Sequence, residues 1–125
     1  MIENTYPVAL SRLGDEDDTR EKQAERAITW LCKQSGGSIT VITPRKYFEN
    51  KAIERLVQNA NVKHYTWRKT SGWNLNGRVL YAWPNREKLN ELEYYKLDAL
   101  AVIEWNEIPD WVEKAMPVIL LPNKK

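Results

Sequence analysis

Tryptophans and basic residues recur together at the ends of the apolar segments of this sequence. The segments 62–67, 78–83 and 99–105 each end at a tryptophan, and a fourth, 39–43, is followed by a proline. Basic residues follow within three positions in three of the four cases. An indole ring stacks on a nucleobase for about 1–3 kcal/mol, and lysine and arginine bind phosphate groups. The pattern therefore predicts a site for an anionic, base-containing ligand, either single-stranded nucleic acid or a nucleotide.

The residues of this predicted site fall into two groups. Tryptophans would stack on bases and cations would contact phosphates; the predicted ligand-binding residues are Arg45, Lys46, Trp67, Arg68, Lys69, Trp73, Trp83, Arg86 and Trp105. Trp73 differs from the other tryptophans because it lies in a polar, glycine-containing loop, 70–77. There it either folds back onto the sheet or is exposed to a partner. A tryptophan at a strand end also packs readily against a covering helix, so packing is the alternative role for each ring.

The sequence lacks the common catalytic and phosphate-binding motifs. It has neither the Gly-x-x-x-x-Gly-Lys-Ser/Thr loop nor the Gly-x-Gly-x-x-Gly turn. The strand–helix order and the segment 102–105 are superficially similar to half of a RecA-like ATPase, but without a phosphate loop we expect no ATP hydrolysis. One histidine, His64, and one cysteine, Cys32, make a zinc site improbable, and Cys32 is expected to be a buried, inert thiol. The sequence thus predicts a binding domain without catalysis, cofactor or metal.

Two other functions fit the same residues. Tryptophan, tyrosine and arginine also dominate protein interfaces, so a protein-interaction or oligomerisation module with an aromatic interface is the first alternative. The second is a magnesium-dependent phosphoesterase, in which Glu104, Glu107 and Asp110 would hold the ion and Arg45 or Lys46 would assist. The two acidic residues of the loop also suit the start of the next helix, where the helix dipole favours negative charge.

The composition is that of one globular domain. The chain has 125 residues, of which 42% are hydrophobic and 29% charged, and no Pro/Gly/Ser-rich linker divides it. We expect a single domain over 1–125, with 1–14 as an N-terminal arm or a short strand. The net charge of +2 is smaller than a dedicated duplex-binding domain usually carries. No apolar stretch approaches the ~20 residues of a membrane helix and no secretory signal is evident, so a cytoplasmic protein without membrane contact is expected.

Apolar strands that alternate with amphipathic helices predict an α/β fold. We expect a three-layer sandwich, in which helices cover both faces of a mostly parallel sheet of four or five strands. Besides the four segments already named, 118–121 fits a short edge strand. The helices are predicted at 16–34, from Pro44 to about 60, after Asn85, and at 109–116.

The connection between 62–67 and 78–83 is too short for a crossover helix. These segments therefore form either an antiparallel pair or two parallel strands that are not neighbours. The uniform apolarity of 39–43 and 78–83 favours the second arrangement, which gives the core order 2-1-3-4 with 39–43 as strand 1. The tryptophan-bearing ends then meet at the carboxyl edge of the sheet, where α/β proteins usually bind ligands.

Overall fold

A computed structural model describes residues 6–46, 48–67, 75–92 and 95–122. Strands and helices alternate along most of this chain. In order they are β1 (Val8–Ser11), α1 (Arg20–Cys32), β2 (Ile39–Thr43), α2 (Lys51–Val57), β3 (Lys63–Thr66), β4 (Arg78–Ala82), α3 (Arg86–Glu91), β5 (Ala99–Ile103), α4 (Pro109–Ala115) and β6 (Val118–Leu120).

The strands form one sheet in the order β3-β2-β4-β5-β1-β6, and every pairing is parallel. The predicted α/β class with a parallel sheet is therefore confirmed. The antiparallel alternative is excluded, because β3 and β4 both pair with β2 in parallel, on its opposite sides. The sheet has six strands rather than the expected four or five. The additional strand is β1, from the stretch expected to be an arm or a short strand, and it lies inside the sheet between β5 and β6.

Two hydrophobic clusters use alternate residues of the strands, because successive side chains of a strand point to opposite faces. The first cluster combines strand residues with residues of α1 and α2. It contains Ala24, Ala27, Leu31, Ala52, Ile53, Leu80, Ala82, Ala99, Ala101 and Ile103. The second cluster combines the intervening strand residues with α3 and α4, and it contains Val79, Tyr81, Leu100, Val102, Leu89, Leu92 and Trp111.

The first two helices begin later than their periodicity predicts. Helix α1 starts at Arg20 rather than 16, because the Thr19 hydroxyl caps it by accepting a hydrogen bond from the Lys22 N–H at 3.1 Å. Helix α2 starts at Lys51 rather than at Pro44, and the buried Asn50 caps it. The predicted helix N-terminus at Pro44 is therefore wrong.

The physical reason lies in the hydroxyl of Thr43, the residue before Pro44. Thr43 Oγ1 donates a hydrogen bond to the carbonyl oxygen of Arg45 at 2.6 Å, which ties the chain into a turn instead of a helix. The expected burial of Cys32 is also wrong. It is the last residue of α1 and is exposed, whereas its neighbour Leu31 faces the core.

Candidate functional site

A cleft of about 920 Å³ lies at the carboxyl edge of the sheet. Its walls come from the start of α1 and from the segments that follow β2, β3, β4 and β5. Parallel strands end at the same edge, so loops far apart in the chain meet there. Five of the nine predicted residues line the cleft: Arg45, Trp67, Trp83, Arg86 and Trp105.

The other four predicted residues are not among those that line the cleft in the described chain. Lys46 is an exposed residue next to Arg45, in the loop after β2. Arg68, Lys69 and Trp73 lie outside the described residues.

A row of aromatic rings crosses the strand ends, with Trp83 in the middle. Its ring contacts Trp105 edge-to-face, with centroids 5.9 Å apart, and contacts Phe48 in the same manner at 6.0 Å. Phe48 in turn contacts the ring of His64 at 5.7 Å. Such edge-to-face pairs contribute about 0.5–1.5 kcal/mol each beyond the burial of their surface, so the row has a defined arrangement.

Trp83 has a strained backbone at the centre of this row. Its φ is +57°, in the left-handed region that residues other than glycine rarely adopt. The Trp83 N–H still donates to the Ile103 carbonyl at 2.9 Å, so the chain turns away from the sheet only after this last contact with β5. Strain of this kind costs about 1–3 kcal/mol and concentrates at functional sites.

The cleft walls also contain polar atoms without a partner. In the part of the chain that the structure describes, the indole N–H groups of Trp67 and Trp83 are buried and make no hydrogen bond. Stable interiors satisfy nearly all such donors, and each exception calls for an explanation. The cleft therefore departs from ordinary core packing both in backbone geometry and in hydrogen bonding.

Arg20 and Trp105 form a cation–π pair at one end of the cleft. The Arg20 guanidinium carbon lies 4.1 Å from the centre of the Trp105 ring, within the range of a cation–π contact. Arg20 Nη1 also donates to Gln23 Oε1 at 3.1 Å and to the Glu104 carbonyl at 3.0 Å. Trp105 is 53% exposed, unlike most large apolar residues of the described chain. A flat ring with a cation held against it thus stands open to solvent.

A buried polar network under this pair holds it in place. The side chain of Gln23 is fully buried, and its amide donates to the carbonyl oxygens of Ser11 at 2.8 Å and Glu104 at 2.7 Å. The Ser11 hydroxyl donates a hydrogen bond to the main-chain carbonyl oxygen of Gln23 at 2.7 Å. These bonds connect the ends of β1 and β5 to α1, so Arg20 and Trp105 are positioned by the same set of contacts.

Sequence reasoning missed Arg20, Phe48 and His64 as members of the site. For Arg20 a signal was available. A helix that follows a parallel strand begins near the carboxyl edge and packs back along the sheet, which brings the first residues of α1 to the cleft. Phe48 and His64 carry no such signal, because their contacts depend on how the loop after β2 folds over β3.

Two of the three acidic residues proposed as magnesium ligands, Glu104 and Asp110, have other partners. Both Glu104 oxygens accept hydrogen bonds from Arg12, at 2.9 and 3.0 Å, and this contact raises the pKa of Arg12. Asp110 accepts from Arg86 at 2.6 Å. No cluster of three or more metal-ligating side chains occurs within the described ranges. A metal ion at Glu104 would have to displace a bidentate arginine.

His64 supports the loop that carries Arg45. The Thr43 hydroxyl gives its proton to the Arg45 carbonyl, so its oxygen accepts a hydrogen bond from His64 Nε2 at 2.7 Å. Burial, and secondly the positive charge of Lys46, lower the pKa of His64. The lowered pKa favours the neutral imidazole, and the contact with Thr43 favours the tautomer with its proton on Nε2.

The molecule is an α/β domain with an all-parallel sheet and an aromatic, arginine-bearing cleft at its carboxyl edge. The sequence matches no protein-family model, and no curated protein or solved structure is significantly similar to it. No helix in the described ranges has the length and apolar character needed to cross a membrane.

Proposed function

We propose that this protein binds an anionic, base-containing ligand in the cleft at the carboxyl edge, without catalysing a reaction on it. The observation that carries the proposal is the half-exposed Trp105 ring with the Arg20 guanidinium fixed against it. This combination offers a nucleobase an aromatic surface and offers the adjacent phosphate a cation.

The remaining cations of the cleft suit the same ligand. Arg45 is exposed in the loop after β2, and Arg86 is exposed at the start of α3. The ion pair of Arg86 with Asp110 is solvent-exposed on both sides. Exposed pairs contribute only about 0–1 kcal/mol, so a phosphate can replace the carboxylate at little cost.

The charge balance of the cleft predicts moderate salt dependence. Among its described lining residues, Arg20, Arg45 and Arg86 carry positive charge and Glu49 and Glu107 carry negative charge. Few phosphates can therefore be neutralised at once. Binding should weaken from low to moderate salt, but less steeply than for a protein with many phosphate contacts.

Tryptophan fluorescence tests the proposal directly. Titration with a short oligothymidylate at low salt should quench the emission, and raising the salt should reverse the quenching. Trp105→Ala should weaken binding at least tenfold, because it removes the exposed stacking surface. Trp30→Phe is the matched control, since Trp30 lies on α1 away from the cleft. Absence of quenching by any oligonucleotide or nucleotide at low salt would contradict the proposed function.

A second candidate function, self-association, rests on a different surface. Four of the five large hydrophobic residues exposed in the described chain lie on or beside β6: Met116, Val118, Ile119 and Leu121. Strand β6 is the last strand of the sheet on its side. The Arg12 N–H donates to the Leu120 carbonyl at 3.0 Å, so the peptide groups of Leu120 face β1 and those of Ile119 face outward.

The outward peptide groups fit a second copy of this chain. Two β6 strands related by a two-fold axis at Ile119 would run antiparallel, and each Ile119 N–H would donate to the other copy's Ile119 carbonyl. Pro117 and Pro122 flank the strand and limit the pairing to a short stretch. Sedimentation should show a dimer that Ile119→Pro dissociates, because proline removes the outward N–H, and that Ile119→Ala retains. A monomeric wild-type chain at high concentration would exclude this candidate.

A further inference from the structure

The cleft extends across four neighbouring strands of the sheet. Its lining residues follow β3, β2, β4 and β5, which are adjacent in that order. Three spacings of about 4.8 Å between strands correspond to about 14 Å from the end that carries Trp67 to the end that carries Trp105. One stacked base covers one ring, so a single nucleotide would leave much of this length empty.

The cations are distributed along the cleft rather than gathered at one point. Arg20 lies against Trp105 at the β5 end, Arg86 follows β4, and Arg45 follows β2. The rings of Trp83 and Phe48 lie in the same row. A nucleoside triphosphate concentrates its charge on adjacent phosphates, whereas a strand carries one charge per nucleotide. The occurrence of both a ring and a single cation at the ends of β2, β4 and β5 resembles the second distribution.

In the described part of the cleft, the loops after β2 and β4 offer no glycine-rich turn of the kind that holds a polyphosphate. Sites for di- and triphosphates present several main-chain N–H groups, usually from glycine-rich turns. Here Pro44 directly follows β2, and Pro84 is the second residue after β4; both line the cleft and have no N–H. None of the described lining residues is glycine.

We infer that the ligand is a single-stranded nucleic acid segment of two or three nucleotides, lying across the strand ends, rather than a free nucleotide. This inference rests on the proposed function, since it concerns the same cleft. One base stacks on Trp105 beside Arg20, and the chain continues over Trp83 toward Arg45. Recognition by stacking and single phosphate contacts is independent of base sequence.

Affinity measured against ligand length tests the inference. The probes are thymidine monophosphate, oligothymidylates of two to six nucleotides, and ATP, all titrated by tryptophan fluorescence. Kd should fall at least tenfold between the mononucleotide and the trinucleotide, and by less than about threefold beyond four nucleotides. The logarithm of affinity against the logarithm of salt should have a slope of about −2 for the trinucleotide with a 5′-phosphate, since each of its three phosphates contributes about −0.7.

Single substitutions at the two ends of the cleft sharpen the test. Arg45→Ala should weaken the trinucleotide about fivefold or more and leave thymidine monophosphate unchanged, because only the longer ligand reaches the loop after β2. Lys63→Ala is the matched control. It removes the same charge from the first residue of β3, at the amino ends of the strands and away from the cleft. It should change neither affinity.

The two levels of the proposal fail in different ways. ATP or thymidine monophosphate binding as tightly as the trinucleotide would overturn the inference and leave the proposed function standing. An equal effect of Arg45→Ala on the mononucleotide and the trinucleotide would also overturn it. If no probe of any length binds at low salt, the proposed function itself is wrong.

Discussion

Replacing Asp18 with asparagine tests the electrostatics of the loop that leads into the cleft. The Asp18 side chain is fully buried, and Arg26 donates two hydrogen bonds to it, at 2.8 and 2.6 Å. The Gly14 N–H donates a third at 2.7 Å. Arg26 also donates to the Arg12 carbonyl at 2.9 Å, so one ion pair fixes the segment between β1 and α1. The segment leads directly into Arg20, the first residue of α1, and so positions Arg20 at the cleft.

The expected magnitude follows from the pKa of the carboxyl group. The hydrogen bonds from Arg26, opposed in part by burial, lower the pKa of Asp18 from 3.8 to about 2. A difference of this size corresponds to about 2 kcal/mol of folding free energy, at about 1.4 kcal/mol per pKa unit. Because the folded-state pKa is the lower one, the contribution is fully present above pH 4 and is lost as the pH falls toward 2.

Urea denaturation of the wild-type chain and of Asp18→Asn between pH 7 and pH 2.5 measures this contribution. At pH 7 the variant should be less stable by about 2 kcal/mol. The difference should narrow below pH 4, because the wild-type carboxyl then becomes protonated and resembles the amide. Asp17→Asn removes the same charge from an exposed neighbour in this loop, and it should change stability by less than about 0.5 kcal/mol.

The pH dependence decides whether the reasoning is correct. A stability difference between the wild-type chain and Asp18→Asn that stays constant from pH 7 to pH 2.5 would refute the electrostatic account. Such a result would assign the effect to the shape of the side chain instead. An equal loss in Asp17→Asn would show that net charge, and not the contact with Arg26, is responsible.

Three further predictions concern His64, Met116 and Gly77. Burial and the charge of Lys46 lower the pKa of His64, so its contribution to folding stability is full above pH 6.5 and declines below it. The difference in stability between the wild-type chain and His64→Gln should therefore narrow from pH 7.5 to pH 5 in urea denaturation. A constant difference would contradict this. Met116 has a φ of +48° at the end of α4, a conformation that favours glycine. Met116→Gly should therefore stabilise the protein by about 0.5–1 kcal/mol in urea denaturation. Met116→Ala, the control, should give no such gain. Gly77 has a φ of +73°, and a Cβ there would lie 2.6 Å from the Ser38 carbonyl oxygen. Gly77→Ala should therefore lower the free energy of unfolding by more than about 2 kcal/mol. A loss below about 1 kcal/mol would show that the loop adapts.

The elements whose signals are local were predictable. The β-branched and apolar runs of β2, β4 and β5 indicate buried strands, and Asn85 before α3 is a capping residue whose side chain accepts from the Lys88 N–H. Gly77, at the end of the loop predicted over 70–77, has a positive φ, which glycine favours. Each of these signals resides in a few neighbouring residues, so it can be seen without the fold.

The starts of α1 and α2 were not predictable from periodicity. Acidic residues before α1 suit a first helical turn equally well. The Thr19 cap and the bonds of Asp18 to Gly14 and Arg26 keep Asp18 outside the helix. Thr43 followed by Pro44 is also a good helix start. The competing hydrogen bond of its hydroxyl to the Arg45 carbonyl, supported by His64 from another strand, decided otherwise.

By itself the sequence determined that alternating strands and helices form a mostly parallel sheet, and that tryptophans and cations follow the strands. Period and residue type carry this information, because local backbone preference and burial depend on nearby residues. Only the tertiary structure decided that Arg20 stacks on Trp105, that Phe48 and His64 extend the aromatic row, and that Glu104 is occupied by Arg12. These contacts join residues distant in the chain, and they arise because parallel strands bring the ends of separate loops to one edge.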